Sequence, residues 1–275
     1  MICFPNAKIN LGLRVTEKRP DGYHNLETVF YPIGLKDALE VVPLSDGKSY
    51  SLDVKALDVA DLGMNDENNI VTKAFRLLEK HHQLKPAAFF LKKGIPTGAG
   101  LGGGSSDAAN ALRIINLMNG LGLSDRDLEL YSAQIGADCA FFIKNKPIFA
   151  TGIGTDFEEV SLNLRGYFLV LIKPDIHVST AEAYSLVHPV QPTKSLKEWI
   201  GNPIETWREN VINDFERSVF SKYSAIGAIK EMLYQKGAVY ASMSGSGSSV
   251  YGLFKSAVNL RADFPGCFYW SEMLN

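Results

Sequence analysis

The chain has 275 residues, of which 46% are hydrophobic, enough to bury real cores and long enough for two ordinary domains. Its 28 lysines and arginines nearly balance 30 aspartates and glutamates, so it carries no electrostatic footprint for nucleic acid or an anionic membrane, and any phosphate must be held locally. Cys3, Cys139 and Cys267 are odd in number and far apart, which excludes a disulfide framework or a Cys-x-x-Cys metal site. No apolar run approaches bilayer length, so the expectation is an unprocessed cytoplasmic protein with no nucleic-acid or membrane partner.

From Lys8 to Val15 polar and apolar residues roughly alternate, Arg19-Pro20-Asp21-Gly22 supplies turn chemistry, and Leu26, Thr28 and Phe30 resume the period of two. This predicts a hairpin. Lys36–Val42 and Ser49–Val54 continue as strands, with Ser45-Asp46-Gly47 as the turn between them. After Asn68-Asn69, the residues Ile70, Ala74, Leu77, Leu78 and His81 recur at helical spacing until Pro86 blocks continuation. The strand Ala87–Leu91 then runs through Gly94-Ile95-Pro96 into a glycine-rich segment, and Ala108, Ala111, Leu112, Ile115 and Met118 mark the helix beyond it. Ser124 and Asp127 have capping-box spacing for a helix ending near Gly136, and Pro147–Ala150 reads as a strand closed by Thr151-Gly152.

A boundary near residue 158 divides the chain into domains 1–158 and 159–275. In the second, Tyr167–Ile172, Val239–Ser242 and Val250–Phe254 read as strands, and Thr180–Leu186, Val211–Phe220 and Ala225–Lys236 as helices. The stretch His188–Pro203, with three prolines, reads as a long connection. The fold class is therefore α+β in two domains.

The segment Pro96-Thr97-Gly98-Ala99-Gly100-Leu101-Gly102-Gly103-Gly104-Ser105-Ser106 leads from a strand into a helix. Small residues there let backbone N–H groups and the positive helix end surround a phosphate, because no Cβ atoms hold the anion away. A Walker A loop would end in Gly-Lys-Ser/Thr, whereas this one ends in Gly-Gly-Ser-Ser. Gly98, Gly100 and Gly103 satisfy the dinucleotide spacing G-x-G-x-x-G, but the position for the ribose-binding acid falls at the start of another helix near Ser124. Five glycines between 98 and 104 exceed what a tight turn requires, which favours anion binding over a bare connection. Read singly, Lys8 is equally a solvated charge near a strand end, Asp138 a helix cap, and Tyr23 and His24 surface residues after a turn.

Three separated segments resemble the GHMP kinases: PNAKINL at 5–11, PTGAGLGGGSSDAA at 96–109 and MSGSGSSV at 243–250. The resemblance implies a ribosomal protein S5 domain 2-like N-terminal domain and a ferredoxin-like C-terminal domain. It also implies that Pro96 to Ser106 wrap the phosphates of ATP, that Lys8 stands at the active site, and that Gly245 and Ser246 border the same cleft. DGYHNLETVF at 21–30 and GADCAFF at 136–142 are similar to the branch of this family that acts on a cytidine diphosphate-linked methylerythritol. That likeness implies that Tyr23 stacks on cytosine, His24 bonds its polar edge, Tyr184 forms a second aromatic wall, and Asp138 faces the hydroxyl to be phosphorylated. The branch usually has a proline two residues after the acid, where this chain has Ala140.

Phosphoryl transfer demands positioning and charge neutralisation, so Asp138 is expected to accept the substrate proton and Lys8 to stabilise the developing charge. Asn10, on the same strand face as Lys8, would orient the substrate, with Thr180 nearby. Mg²⁺ is expected with ATP, held by water, phosphate and a loop hydroxyl; Asp107 and Asn110 are the weaker protein candidates, and no metal ligand set follows from the sequence. The small-molecule partner is expected to meet a monomer or weak homodimer. A homoserine- or mevalonate-type kinase and a catalytically silent ATP-binding relative are the alternatives.

Overall fold

The computed structural model describes residues 1–44, 49–55 and 68–275, so the expected turn at Ser45-Asp46-Gly47 lies outside the described residues. The chain forms two compact units. The first comprises Met1–Ala7, Leu35–Thr97 and Gly102–Lys146; the second comprises Lys8–Gly34, Gly98–Leu101 and Pro147–Asn275. No described helix is long and apolar enough to cross a membrane.

In the first unit a four-stranded sheet runs in the order Ile2–Cys3, Ala38–Pro43, Ala87–Lys92, Tyr50–Lys55. Its last pair is parallel, which requires a crossover, and the helix Ile70–Glu79 lies within that connection. Asn69 caps this helix, its side chain accepting the Val71 N–H, and Val71, Ala74, Phe75 and Leu78 form the buried stripe. Phe75 meets Tyr50 and Phe89 of the sheet at ring-centroid distances of 4.8 and 5.9 Å. The helix Gly103–Asn119 buries Ala108, Ala111, Leu112 and Ile115, and ends at Gly120 with a φ of +61°, a backbone state that glycine enters without strain. The capping box expected at Ser124 and Asp127 is present and opens the helix Asp125–Ala133.

The second unit holds two four-stranded sheets. One runs Asn6–Lys18, His24–Lys36, Ile148–Thr151, Asp156–Glu159, and contains the expected hairpin with longer arms than the alternation suggested. The other runs Tyr240–Met243, Val250–Phe254, Phe168–Lys173, Phe268–Met273, antiparallel throughout. Numbered within itself that order is 2-3-1-4, the ferredoxin-like arrangement. Its core joins Val170, Ile172, Val250 and Phe254 of the sheet to Phe215, Val219, Ile226 and Leu233 of the helical segments.

Several elements differ from expectation. The helix expected over Val211–Phe220 begins only at Glu216 and ends at Lys222. Residues 211–214 instead run beside the first long strand: Leu13 donates its N–H to Ile212 O at 2.9 Å and accepts from Asp214 N at 2.8 Å. Val211, Phe215 and Val219 have helical spacing, but their burial serves this pairing as well as the later helix. The strands Asp156–Glu159 and Phe268–Met273 were not expected. The connection His188–Pro203 contains the helix Leu196–Ile200, opened by a Ser195–Glu198 capping box and by Glu27, whose carboxylate accepts the Leu196 N–H at 2.8 Å. Ser195→Ala is expected to lower the unfolding free energy by about 1 kcal/mol, read as a lower urea midpoint at unchanged slope.

Candidate functional site

The glycine segment is built for close approach. Gly98, Gly100 and Gly102 take φ values of +63°, +75° and +69°, where a side chain would be strained. A Cβ at Gly100 would stand 2.0 Å from the Ser244 carbonyl oxygen. The helix that follows starts at Gly103, with Gly102 as a cap that has no side chain to offer. Ser106 N–H already turns inward to Gly102 O at 2.9 Å, so the N–H groups of Gly103, Gly104 and Ser105 are the donors that helix geometry leaves unspent. Gly102–Ser105 are partly or fully exposed. An uncapped start of a 17-residue helix, open to solvent and free of Cβ bulk at its tip, fits an anionic phosphate chain.

Two groups behind this helix start have unspent bonding capacity. Ser106 Oγ and Asp107 Oδ1 are buried and have no hydrogen-bond partner. The described residues contain no cluster of three or more His, Cys, Asp and Glu able to hold a metal ion, so a cation here would rest on phosphate, water and at most one or two such oxygens.

Within the first unit the ends of the glycine segment are tied by a charge cluster that local sequence did not reveal. Lys93 Nζ bonds Asp37 and also Asp107 Oδ2, the latter at 2.6 Å, and all three side chains are buried. Asp37 Oδ1 also accepts the N–H groups of Gly94 at 2.6 Å and Ile95 at 2.8 Å. Burial alone would lower the Lys93 pKa, but the carboxylates of Asp107 and Asp37 outweigh it and hold the ammonium charged. The strand end before the loop and the second helical turn after it are thus joined through one cation. Asn110, expected near a metal, instead bonds Ser106 O at 2.9 Å.

Asp138 lies in the turn after the helix Asp125–Ala133, half-buried. The next residue, Cys139, is buried. Its thiol is pushed up to about 11 by burial, with Ser105 opposing and the Asp138 charge adding to the rise, so it stays neutral. The Asp138 turn therefore lies beside Ser105 at the start of the glycine-led helix. Ala140, where proline was expected, has φ −63°, the value a proline ring would impose, so the departure leaves the backbone course unchanged.

In the second unit Lys8 and Asn10 do share one strand face. Lys8 Nζ donates to Asn10 Oδ1 at 2.6 Å and to Gly100 O at 3.2 Å, and lies 5.0 Å from the centre of the Phe30 ring. Asn10 Nδ2 donates to Thr28 Oγ1 at 2.9 Å. Ser244 Oγ accepts the Asn10 N–H at 3.2 Å and donates to Gly100 O at 2.8 Å. Asn213 Nδ2 spans the carbonyls of Met243 at 2.8 Å and Gly245 at 2.9 Å, which fixes the turn carrying Gly245 and Ser246. Thr28 and Asn213 carry this geometry without having been singled out as site residues by the sequence, whereas Ser244 lies in the glycine-serine segment that was.

The expected aromatic residues divide. His24 and Tyr184 are stacked, with ring centroids 4.7 Å apart and planes 24° from parallel, and Tyr184 meets Phe215 edge-on at 4.6 Å. Tyr23 is 63% exposed. Thr180 is exposed at the start of the helix Thr180–Tyr184, whose Ser179–Glu182 capping box is supported by Lys222 and Tyr223. Lys8, Asn10, Gly98–Leu101, Tyr23, His24, Thr180, Tyr184, Gly245 and Ser246 belong to the second unit; Pro96, Thr97, Gly102–Ser106 and Asp138 belong to the first.

Truncating the buried cation should be costly. Lys93→Ala is expected to destabilise the protein by about 3–5 kcal/mol, because it leaves two buried carboxylates facing each other. Burial already pushes the Asp107 carboxyl up, and a folded-state pKa above the unfolded one favours the folded form as pH falls. The deficit should therefore be smaller in mild acid than in mild alkali, measured by denaturant titration at both.

Comparison with known proteins agrees with the geometry. The model of the GHMP kinases N terminal domain matches residues 69–146, and that of the GHMP kinases C terminal domain matches residues 194–264. A 4-diphosphocytidyl-2-C-methyl-D-erythritol kinase of Bacteroides fragilis (strain YCH46) is 56% identical over 276 aligned positions, covering 100% of both chains. The enzyme of the same name from Parabacteroides distasonis is 51% identical, again over 100% of both. A crystal structure of a 4-(cytidine 5'-diphospho)-2C-methyl-D-erythritol kinase superposes with a TM-score of 0.79 at 29% identity, covering 98% of each chain.

Proposed function

The chain belongs to the GHMP kinase family, and we propose that it transfers the γ-phosphoryl group of ATP to the 2-hydroxyl of 4-diphosphocytidyl-2-C-methyl-D-erythritol, releasing ADP. The observation that carries this reading is the open, glycine-led helix start at Gly103, with the turn of Asp138 and Cys139 beside Ser105 of that start. A kinase needs amides that receive phosphate and, beside them, a carboxylate that receives a proton.

In this reading Pro96 to Ser106 hold the triphosphate, with backbone donors doing what a net charge of −2 cannot. Asp138 accepts the proton of the attacking hydroxyl as its oxygen bonds to phosphorus and the bond to the ADP oxygen breaks. Lys8, oriented by Asn10 and Gly100, offsets the charge that builds on the transferring group. Tyr23, His24 and Tyr184 recognise the cytosine, His24 and Tyr184 offering a stacked pair and Tyr23 an exposed ring able to cover a base. Thr180, Gly245 and Ser246 complete the substrate side. Mg²⁺ bound with ATP would neutralise phosphate charge, and the Ser106 hydroxyl and Asp107 Oδ1, which have no hydrogen-bond partner, are the oxygens we would assign to assist it. In this reading residues 1–158 supply the nucleotide domain, together with Tyr23 and His24 for the substrate, and 159–275 the remainder of the substrate domain.

Coupled ADP release should depend on the cytidine diphosphate-linked substrate, with no turnover of mevalonate or homoserine. Asp138→Asn should lower kcat by about 10²–10⁴-fold while ATP binding persists. Undiminished turnover in that variant would remove Asp138 as the base, and turnover of one of the other alcohols would move the chain to another branch of the family.

A further inference from the structure

The orientation of one amide decides how Lys8 is held, and a residue that touches neither end of the reaction sets it. Thr28 sits on the strand His24–Lys36, 1% exposed, beside the strand that carries Lys8 and Asn10. Its hydroxyl lies 2.7 Å from the Gly12 carbonyl oxygen. A carbonyl has no proton to give, so the hydroxyl donates there and has only lone pairs left for its second neighbour. That neighbour is the side-chain amide of Asn10 at 2.9 Å, which must present its NH₂ group. The oxygen of the same amide is thereby turned the other way, onto Lys8 Nζ at 2.6 Å. An ammonium donates and never accepts, so the requirement at the Lys8 end agrees with that at the Thr28 end. The chain Gly12 O, Thr28 Oγ1, Asn10 amide, Lys8 Nζ admits a single arrangement of donors and acceptors.

The network is expensive for a merely structural feature. Lys8, Asn10, Thr28 and Ser244 are all at most 3% exposed, and polar groups taken out of water repay their desolvation only when every bond is made. Apolar pairs across the same two strands would stabilise them without that demand. What the polar chain adds is a defined position for the ammonium, whose second acceptor, Gly100 O, belongs to the glycine segment and is itself held by Ser244 Oγ at 2.8 Å.

We infer that Thr28 is a positioning residue for phosphoryl transfer: it orients the Asn10 amide so that its oxygen fixes the Lys8 ammonium. The inference rests on the reading of Lys8 given above. Without the hydroxyl, the buried Asn10 NH₂ has no acceptor in the strand pair, and the side chain must leave Lys8 to find one.

The test compares Thr28→Val, which keeps the shape and removes the hydroxyl, with Thr28→Ser, which keeps the hydroxyl. Thr28→Val is expected to lower kcat by about 10–100-fold, with KM for ATP and for the cytidine diphosphate substrate within about twofold of the parent. Thr28→Ser should recover kcat to within about threefold. In an Asn10→Ala background, Thr28→Val should have no further effect on kcat, because the path from Thr28 to Lys8 is already cut. Equal loss in Thr28→Ser and Thr28→Val, or the same loss with and without Asn10, would overturn the inference and leave Thr28 a packing residue. A direct readout is independent of turnover: the Asn10 side-chain NH₂, assigned by its disappearance in Asn10→Ala, should exchange slowly with solvent deuterium in the parent and fast in Thr28→Val. Slow exchange in both overturns the orienting role even if the chain is an active kinase. Absence of turnover in the parent together with the expected exchange pattern overturns the kinase reading and leaves the amide orientation standing.

Discussion

A loop that must bring bare backbone amides to an anion gives up the side chains that would hold its shape, and the rest of the site restores what the glycines surrender. Gly98, Gly100 and Gly102 all occupy the left-handed region, where glycine is at ease but also least restrained in the unfolded chain. The ordering cost is met at the ends of the segment. On one side Asp37 receives the N–H groups of Gly94 and Ile95 and, through Lys93, is joined to Asp107 in the second turn of the following helix. The arrangement behaves like a clasp, because a shift of either loop end would pull a buried carboxylate away from a buried ammonium.

The middle of the segment is held in the second unit by a different chemistry. Gly100 O accepts from Ser244 Oγ and Lys8 Nζ, a close approach to the Ser244 segment that a side chain at Gly100 would prevent by meeting the Ser244 carbonyl oxygen. Ser244 in turn depends on its strand. Glu216 takes the Met243 N–H at 2.8 Å and the Ser242 hydroxyl at 3.1 Å, with Lys230 neutralising its other oxygen, while Asn213 bridges Met243 and Gly245. The departure of residues 211–214 from helix is what makes this possible, since pairing with Leu13 sets the backbone from which Asn213 reaches the turn.

Those dependencies explain what the sequence could and could not reveal. The glycine segment is legible because its chemistry is compositional, and the Lys8–Asn10 pair is legible because a strand returns to the same face every second residue. The hairpin, the Ser124 capping box and the ferredoxin-like order likewise rest on short-range signals or on motif resemblance. Asp37, Thr28 and Asn213 meet their partners across 56, 16 to 18 and 30 to 32 residues, and no local pattern marks a buried polar residue as distinct from a solvated one. The helix expected over Val211–Phe220 does not extend back to residues 211–215, because apolar spacing of four is shared by a helix and by a turn of chain buried against a strand. The Ser195–Glu198 box carries the same signal that was read at Ser124, and the neighbouring prolines masked it. Asp156–Glu159 is a polar strand at the edge of its sheet, with no apolar alternation to betray it.

Two buried lysines bear on the glycine segment, and the acceptors around them assign them different work. Lys93 lies between two carboxylates, which fix its position and also cancel its charge, so little of its field is left for an incoming anion. Lys8 Nζ donates to the amide oxygen of Asn10 and the carbonyl oxygen of Gly100, neutral groups that orient an ammonium through hydrogen bonds. A protein with near-zero net charge has no general attraction for phosphate to fall back on, so a cation meant to meet a developing negative charge must be positioned by local bonds. On that ground a carboxamide at position 10 suits the chemistry better than the carboxylate that would bind Lys8 more tightly, and the orientation of that carboxamide becomes a thing the fold has to specify.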